Sequence, residues 1–142
     1  MVAAGGLASS DCERVVQAAL AQPVNSWSSL AFLLAGAWVL TLASRSRIRR
    51  VELVVYGVAV ASNAVGGMLI HGWQSEGARW VHDVAILAVL VFIAAFGAAR
   101  RWDRGTRWTI RLFAISLAAL ELRRRKAVLP RADRKVIQAL SA

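Results

Sequence analysis

The sequence predicts an all-α fold, a polytopic bundle of membrane helices with three clear spans and a marginal fourth segment. Of its 142 residues, 58% are hydrophobic and only 18% charged, where a soluble domain is about a quarter charged. Uncharged stretches about as long as a bilayer is thick recur along the chain. The 18 basic residues, against 8 acidic ones, gather between and after those stretches. Such a distribution, with no nucleic-acid-binding motif, fits topology signals and anionic-lipid contacts and excludes nucleic acid as the partner.

The elements follow in order. No formal charge occurs from Val15 to Ser44. The turn-like Gln22-Pro23-Val24-Asn25-Ser26 precedes its most apolar part, because Pro23 is tolerated at a helix start and Ser26 or Asn25 can cap it. The first span is expected over about 26–44. The second runs from Leu53 to Ile70, eighteen uncharged residues ending at His71, and the third from Trp80 to Ala99, interrupted only by His82 and Asp83. Small residues recur in both and allow close helix packing. The fourth segment, Trp108 to Leu122, contains Arg111 and Glu121, which leaves only Leu112 to Leu120 uncharged. The resulting organisation is an extracytoplasmic segment 1–25, a transmembrane domain 26–122 and a basic tail 123–142.

With three spans and the N-terminus outside, 16 of the 18 basic residues are cytoplasmic and only Arg14 and Arg79 lie outside. That agrees with the positive-inside rule. A crossing fourth segment would put the tail residues from Arg123 to Lys135 outside, against the rule, so the segment is expected either to lie at the interface or to continue into further helices. The first ten residues lack a cleavable signal, so the first span would direct insertion. Ala-rich composition and the use of Arg over Lys are compatible with a GC-rich bacterial genome, hence an inner membrane. The single cysteine, Cys12, forms neither an intrachain disulfide nor a zinc-finger pair.

A buried imidazole or carboxylate in a span costs a few kcal/mol or more, about 3, unless it is paired or wet. Asn63, His71, His82 and Asp83 therefore need reasons. A connection of about nine residues, Gly72 to Trp80, makes spans two and three antiparallel neighbours and puts His71 and Asp83 at one depth. A carboxylate there can fix the tautomer of a metal-bound or proton-shuttling histidine. Asn63, Gly67 and His71 share a helix face, and Ser62 points away from it. His82 points about a quarter-turn from Asp83 and reads as interfacial. Pairing of His71 with His82 as haem ligands is disfavoured by placing them at opposite ends of the hairpin. Read structurally, His71 meets headgroups, Asp83 caps the next helix, Ser62 and Asn63 join helices, and Trp27, Trp73, Trp80, Trp102 and Trp108 form an aromatic belt.

The order of the motifs Cys12-Glu13, Gln22-Pro23-Val24-Asn25-Ser26-Trp27-Ser28-Ser29-Leu30, Gly66-Gly67-Met68-Leu69-Ile70-His71 and Asp83 resembles the alkaline ceramidase family, within the superfamily of seven-helix membrane hydrolases that includes the adiponectin-receptor type. It covers roughly residues 10–100. The resemblance implies a zinc-dependent amidase that cuts the N-acyl bond of a ceramide-like sphingoid lipid, with His71 as a zinc ligand and Asp83 as the catalytic-site aspartate orienting ligand or water. It also implies a calcium site in the segment holding Asp11, Glu13 and Asn25, weakened because Gln22 stands where the family often has an acid.

Two departures from the family pattern bear on activity. Gly67 replaces the family's serine four residues before the histidine. The His-x-x-x-His pair that completes the family's zinc site is absent, since no His follows His82. The expectation is a ceramidase-like hydrolase represented by its N-terminal half, inactive as this chain, its missing helices lost or supplied by another chain. The alternative is a non-enzymatic small membrane protein with a structural His/Asp pair.

Overall fold

A computed structural model describes residues 15–16 and 19–140, with side chains as far as Arg125. Five helices occur among them: α1 (Pro23–Ser28), α2 (Leu30–Arg45), α3 (Arg50–Trp73), α4 (Glu76–Arg101) and α5 (Thr106–Leu140). The fold is all-α, as the uncharged runs predict. Pro23 stands at the start of α1, where its missing N–H costs nothing, and α1 and α2 together make one apolar stretch, Pro23–Arg45. With α3 and α4 it gives three helices long and apolar enough to cross a membrane.

Packing inverts the pattern of a soluble core. The buried apolar residues are mostly alanines, among them Ala43, Ala59, Ala64, Ala85, Ala95 and Ala99, while Phe32, Leu34, Trp38, Val58, Leu90 and Ile115 face outward. In water an apolar surface of that extent would be an association site; in lipid it is the expected exterior, with small residues drawing the backbones together. A Cβ on Gly36 would stand 2.7 Å from the Ala61 Cβ, and one on Gly57 would stand 2.9 Å from Leu40 Cγ. These two glycines set the closeness of α2 and α3.

The turn between α3 and α4 is shorter than the nine residues expected. Both helices extend into polar sequence, so only Gln74 and Ser75 lie between them. Gln74 takes the left-handed conformation (φ 50°) and its N–H donates to the Leu69 carbonyl. Ser75 then caps α4, its Oγ accepting from the Ala78 N–H at 3.1 Å. Trp27, Trp73 and Trp80 lie near this end of the bundle, and Trp102 and Trp108, in ring contact at 5.5 Å, lie at the other.

The fourth segment runs back along α4 rather than away from the bundle. At its start Thr109 Oγ1 donates to Glu52 near the beginning of α3, in its middle Phe113 meets Phe92 edge-on at 5.6 Å, and at Arg124 it reaches Asp83. Helix α5 continues without a break through the 122–123 boundary. Its basic stretch therefore leaves the bundle at the His71 end, not at the Arg45–Arg50 end. The basic residues of α5 from Arg123 onward then join Arg79 at the His71 end, so the charge asymmetry of a three-span arrangement is largely lost.

Candidate functional site at the α1–α3–α4 end

The chain entering α1, the last turn of α3 and the start of α4 converge on His71. The chain entering α1 is tied to the last turn of α3 by two backbone bonds, Gln22 N–H to the His71 carbonyl at 2.9 Å and Ala21 N–H to the Gly72 carbonyl at 3.0 Å. This puts the Gln22 side chain, fully buried, against the imidazole. His71 Nδ1 lies 2.8 Å from Gln22 Oε1. An amide oxygen only accepts, so His71 donates from Nδ1 in this contact. Metal-binding histidines make the same hydrogen bond to a carbonyl or carboxylate.

His82 is the second imidazole of the site. Its ring centre lies 5.8 Å from that of His71, with the rings at 71°. The sequence expectation that His82 faces elsewhere, at the opposite end of the hairpin, is corrected here. The cause is Gly66: a Cβ there would stand 2.7 Å from the His82 Cα, so its absence lets α4 approach until His82 lies beside α3. Helical spacing within α4 alone carries no information on that approach.

Gly67, where the resembled family has a serine, acquires a hydroxyl by another route. Ser29, in the break between α1 and α2, places its Oγ where a side chain on residue 67 would stand. That hydroxyl donates to the Asn25 carbonyl at 2.8 Å. Ser26, fully buried, lines the same junction, with its Oγ 3.9 Å from the position of a Cβ on Gly72. Asn63, on the His71 face of α3 as expected, donates from Nδ2 both to the Ala59 carbonyl of its own helix and to the Ala85 carbonyl of α4 at 3.2 Å. It joins helices, whereas the Ser62 hydroxyl donates to the Ala59 carbonyl within α3.

Asp83 takes a different partner from the one expected. Arg124 Nη2 donates to Asp83 Oδ2 at 2.7 Å, both side chains being partly exposed, while the group that meets His71 Nδ1 is Gln22. One turn away the Trp80 indole N–H donates to Glu121 Oε1 at 2.7 Å, and Arg125 also reaches that oxygen. Sequence reasoning alone does not bring Gln22, Ser29 or Arg124 to this site. The signal for Gln22 was its place in the motif before the first span; Arg124 sits inside a run of basic residues that reads as a solvated tail.

Zinc does not fit these residues alone. A hydrolytic zinc centre takes three protein ligands and a water, yet no group of three or more His, Cys, Asp and Glu side chains gathers among the described residues. The chain has only two histidines, and the nearby Asp83 carboxylate is held by Arg124. Of the expected calcium residues, Asp11 and Glu13 lie outside the described residues; the Asn25 carbonyl accepts from both Ser28 and Ser29. What the geometry offers is a buried amide, two adjacent imidazoles and two hydroxyls at one end of an apolar bundle. No protein-family model matches the chain, and no curated protein or solved structure proved similar to it.

Proposed function

We propose that the chain is an integral membrane protein of the ceramidase-like type whose His71 end receives the polar amide region of an N-acyl sphingoid lipid, and that by itself it does not hydrolyse that amide. The observation that carries the reading is the hydrogen bond from His71 to the buried Gln22. It orients an imidazole on a polar floor, beside a second imidazole and the Ser29 hydroxyl, at the level where an amphipathic lipid carries its amide and hydroxyls. Such groups supply donors and acceptors for an amide without supplying a hydrolytic metal. A three-histidine zinc centre would need at least one imidazole beyond His71 and His82.

The Asp83–Arg124 ion pair favours a second reading, a non-enzymatic membrane protein in which the histidines and Asp83 only join helices. Lipid binding separates the two. Purified chain in detergent is titrated with a fluorescent N-acyl sphingosine, and an unlabelled one is used as competitor. Saturable binding that weakens about tenfold in Gln22→Ala or His71→Ala, as loss of one good hydrogen-bonding group predicts, supports the ceramidase-like reading. Binding that is absent, or indifferent to both substitutions in folded protein, leaves the structural one.

A further inference from the structure

We propose that the opposite end of the bundle seats an anionic glycerophospholipid, with one acyl chain in the seam of α3 and α4 and its phosphate on Arg49. Two open grooves meet at Tyr56. One, of about 200 Å³, has Arg49 and Glu52 at its foot and Tyr56, Phe92 and Phe96 along its wall. The other, of about 380 Å³, continues from Tyr56 past Val60 to Asn63, flanked by Phe32 of α2. Over the stretch from Arg49 to Asn63, α3 rises about 21 Å at 1.5 Å per residue. One leaflet of hydrocarbon is about 15 Å deep, so the seam is long enough for an acyl chain that enters at the membrane edge.

The wall is built for a chain rather than for water. Tyr56 stacks on Phe92 at 5.5 Å and Phe92 on Phe96 at 6.3 Å, a continuous aromatic strip. The Arg49 guanidinium lies 5.8 Å from the Phe96 ring centre, a cation–π contact that holds the charge over the groove mouth. A guanidinium so placed offers paired donors to a phosphate.

Charge complementarity selects the anionic headgroup. Arg45, Arg47 and Arg50 flank Arg49 in the α2–α3 connection, and Arg100 and Arg101 end α4 on the same side of the bundle. Glu52 is the carboxylate of the groove; it is buried and accepts from Thr109 of α5, so it faces the helix contact, and the rim keeps a large excess of positive charge. The site lies at the far end of α3 from His71 and does not depend on the ceramidase-like reading.

The test titrates the delipidated full chain with dioleoyl phosphatidylglycerol and with dioleoyl phosphatidylcholine, reading bound lipid by native mass spectrometry. Phosphatidylglycerol is expected to bind saturably, at least about fivefold more tightly than phosphatidylcholine. Arg49→Gln should remove about that factor, while Arg45→Gln, the same charge change beside the groove, should leave binding within twofold. Val60→Trp fills the groove and should weaken both lipids. Equal binding of the two lipids, equal loss from Arg45→Gln and Arg49→Gln, or no effect of Val60→Trp would overturn the proposal. If Arg49→Gln does not fold, the lipid comparison and Val60→Trp still decide it.

Discussion

At His71 the protein spends a fully buried glutamine on fixing one imidazole, and that glutamine is far away in sequence. The pairing was invisible to helical spacing, which relates residues within one helix and says nothing of which residue a neighbouring element brings. The Gly67 position shows the same limit. Read alone, it is a lost hydroxyl; in the fold, Ser29 fills the space. Gly67→Ser is therefore predicted to destabilise the bundle by about 1–3 kcal/mol through overpacking. Gly67→Ser combined with Ser29→Gly should recover most of it, since the two sites share one volume. Thermal unfolding in detergent of the single and double variants checks this, and strict additivity would mean that the two side chains do not compete.

Among the elements, α5 is the one whose place hydropathy left open. Two polar contacts decide it, Thr109 to Glu52 in its first turn and Arg124 to Asp83 about midway along it, with Trp80 and Glu121 beside the latter. The Asp83–Arg124 pair is more than a third exposed, so each single neutralisation should cost at most about 1 kcal/mol. Its effect should show as register rather than stability: disulfide trapping between cysteines placed at 79 and 125 should slow in Asp83→Asn and recover in the exchanged pair Asp83→Arg/Arg124→Asp. The spans themselves were legible because uncharged runs mark them directly. The turn at Gln74 and Ser75 was not, because helices α3 and α4 carry on through the polar residues that ordinarily signal a loop.

Over the whole molecule, the exposed large side chains and the alanine-lined interior give a bundle that matches lipid rather than water. Net charge and span lengths predicted that much. The missing His-x-x-x-His pair is legible in the sequence, but the placing of His82 beside His71 and of Asp83 on Arg124 is not, because a site is a coincidence of side chains in space. Here two imidazoles lie 5.8 Å apart between rings, and the nearby aspartate is paired to an arginine. In the function proposed above, this arrangement holds a polar lipid region without cleaving it. The measurement that bears on it most directly is fatty-acid release from N-acyl sphingosine by the purified chain, with and without added zinc. No release above the protein-free background is expected, with His71→Ala indistinguishable from the parent. Zinc-dependent release that disappears in a folded His71→Ala variant would contradict it.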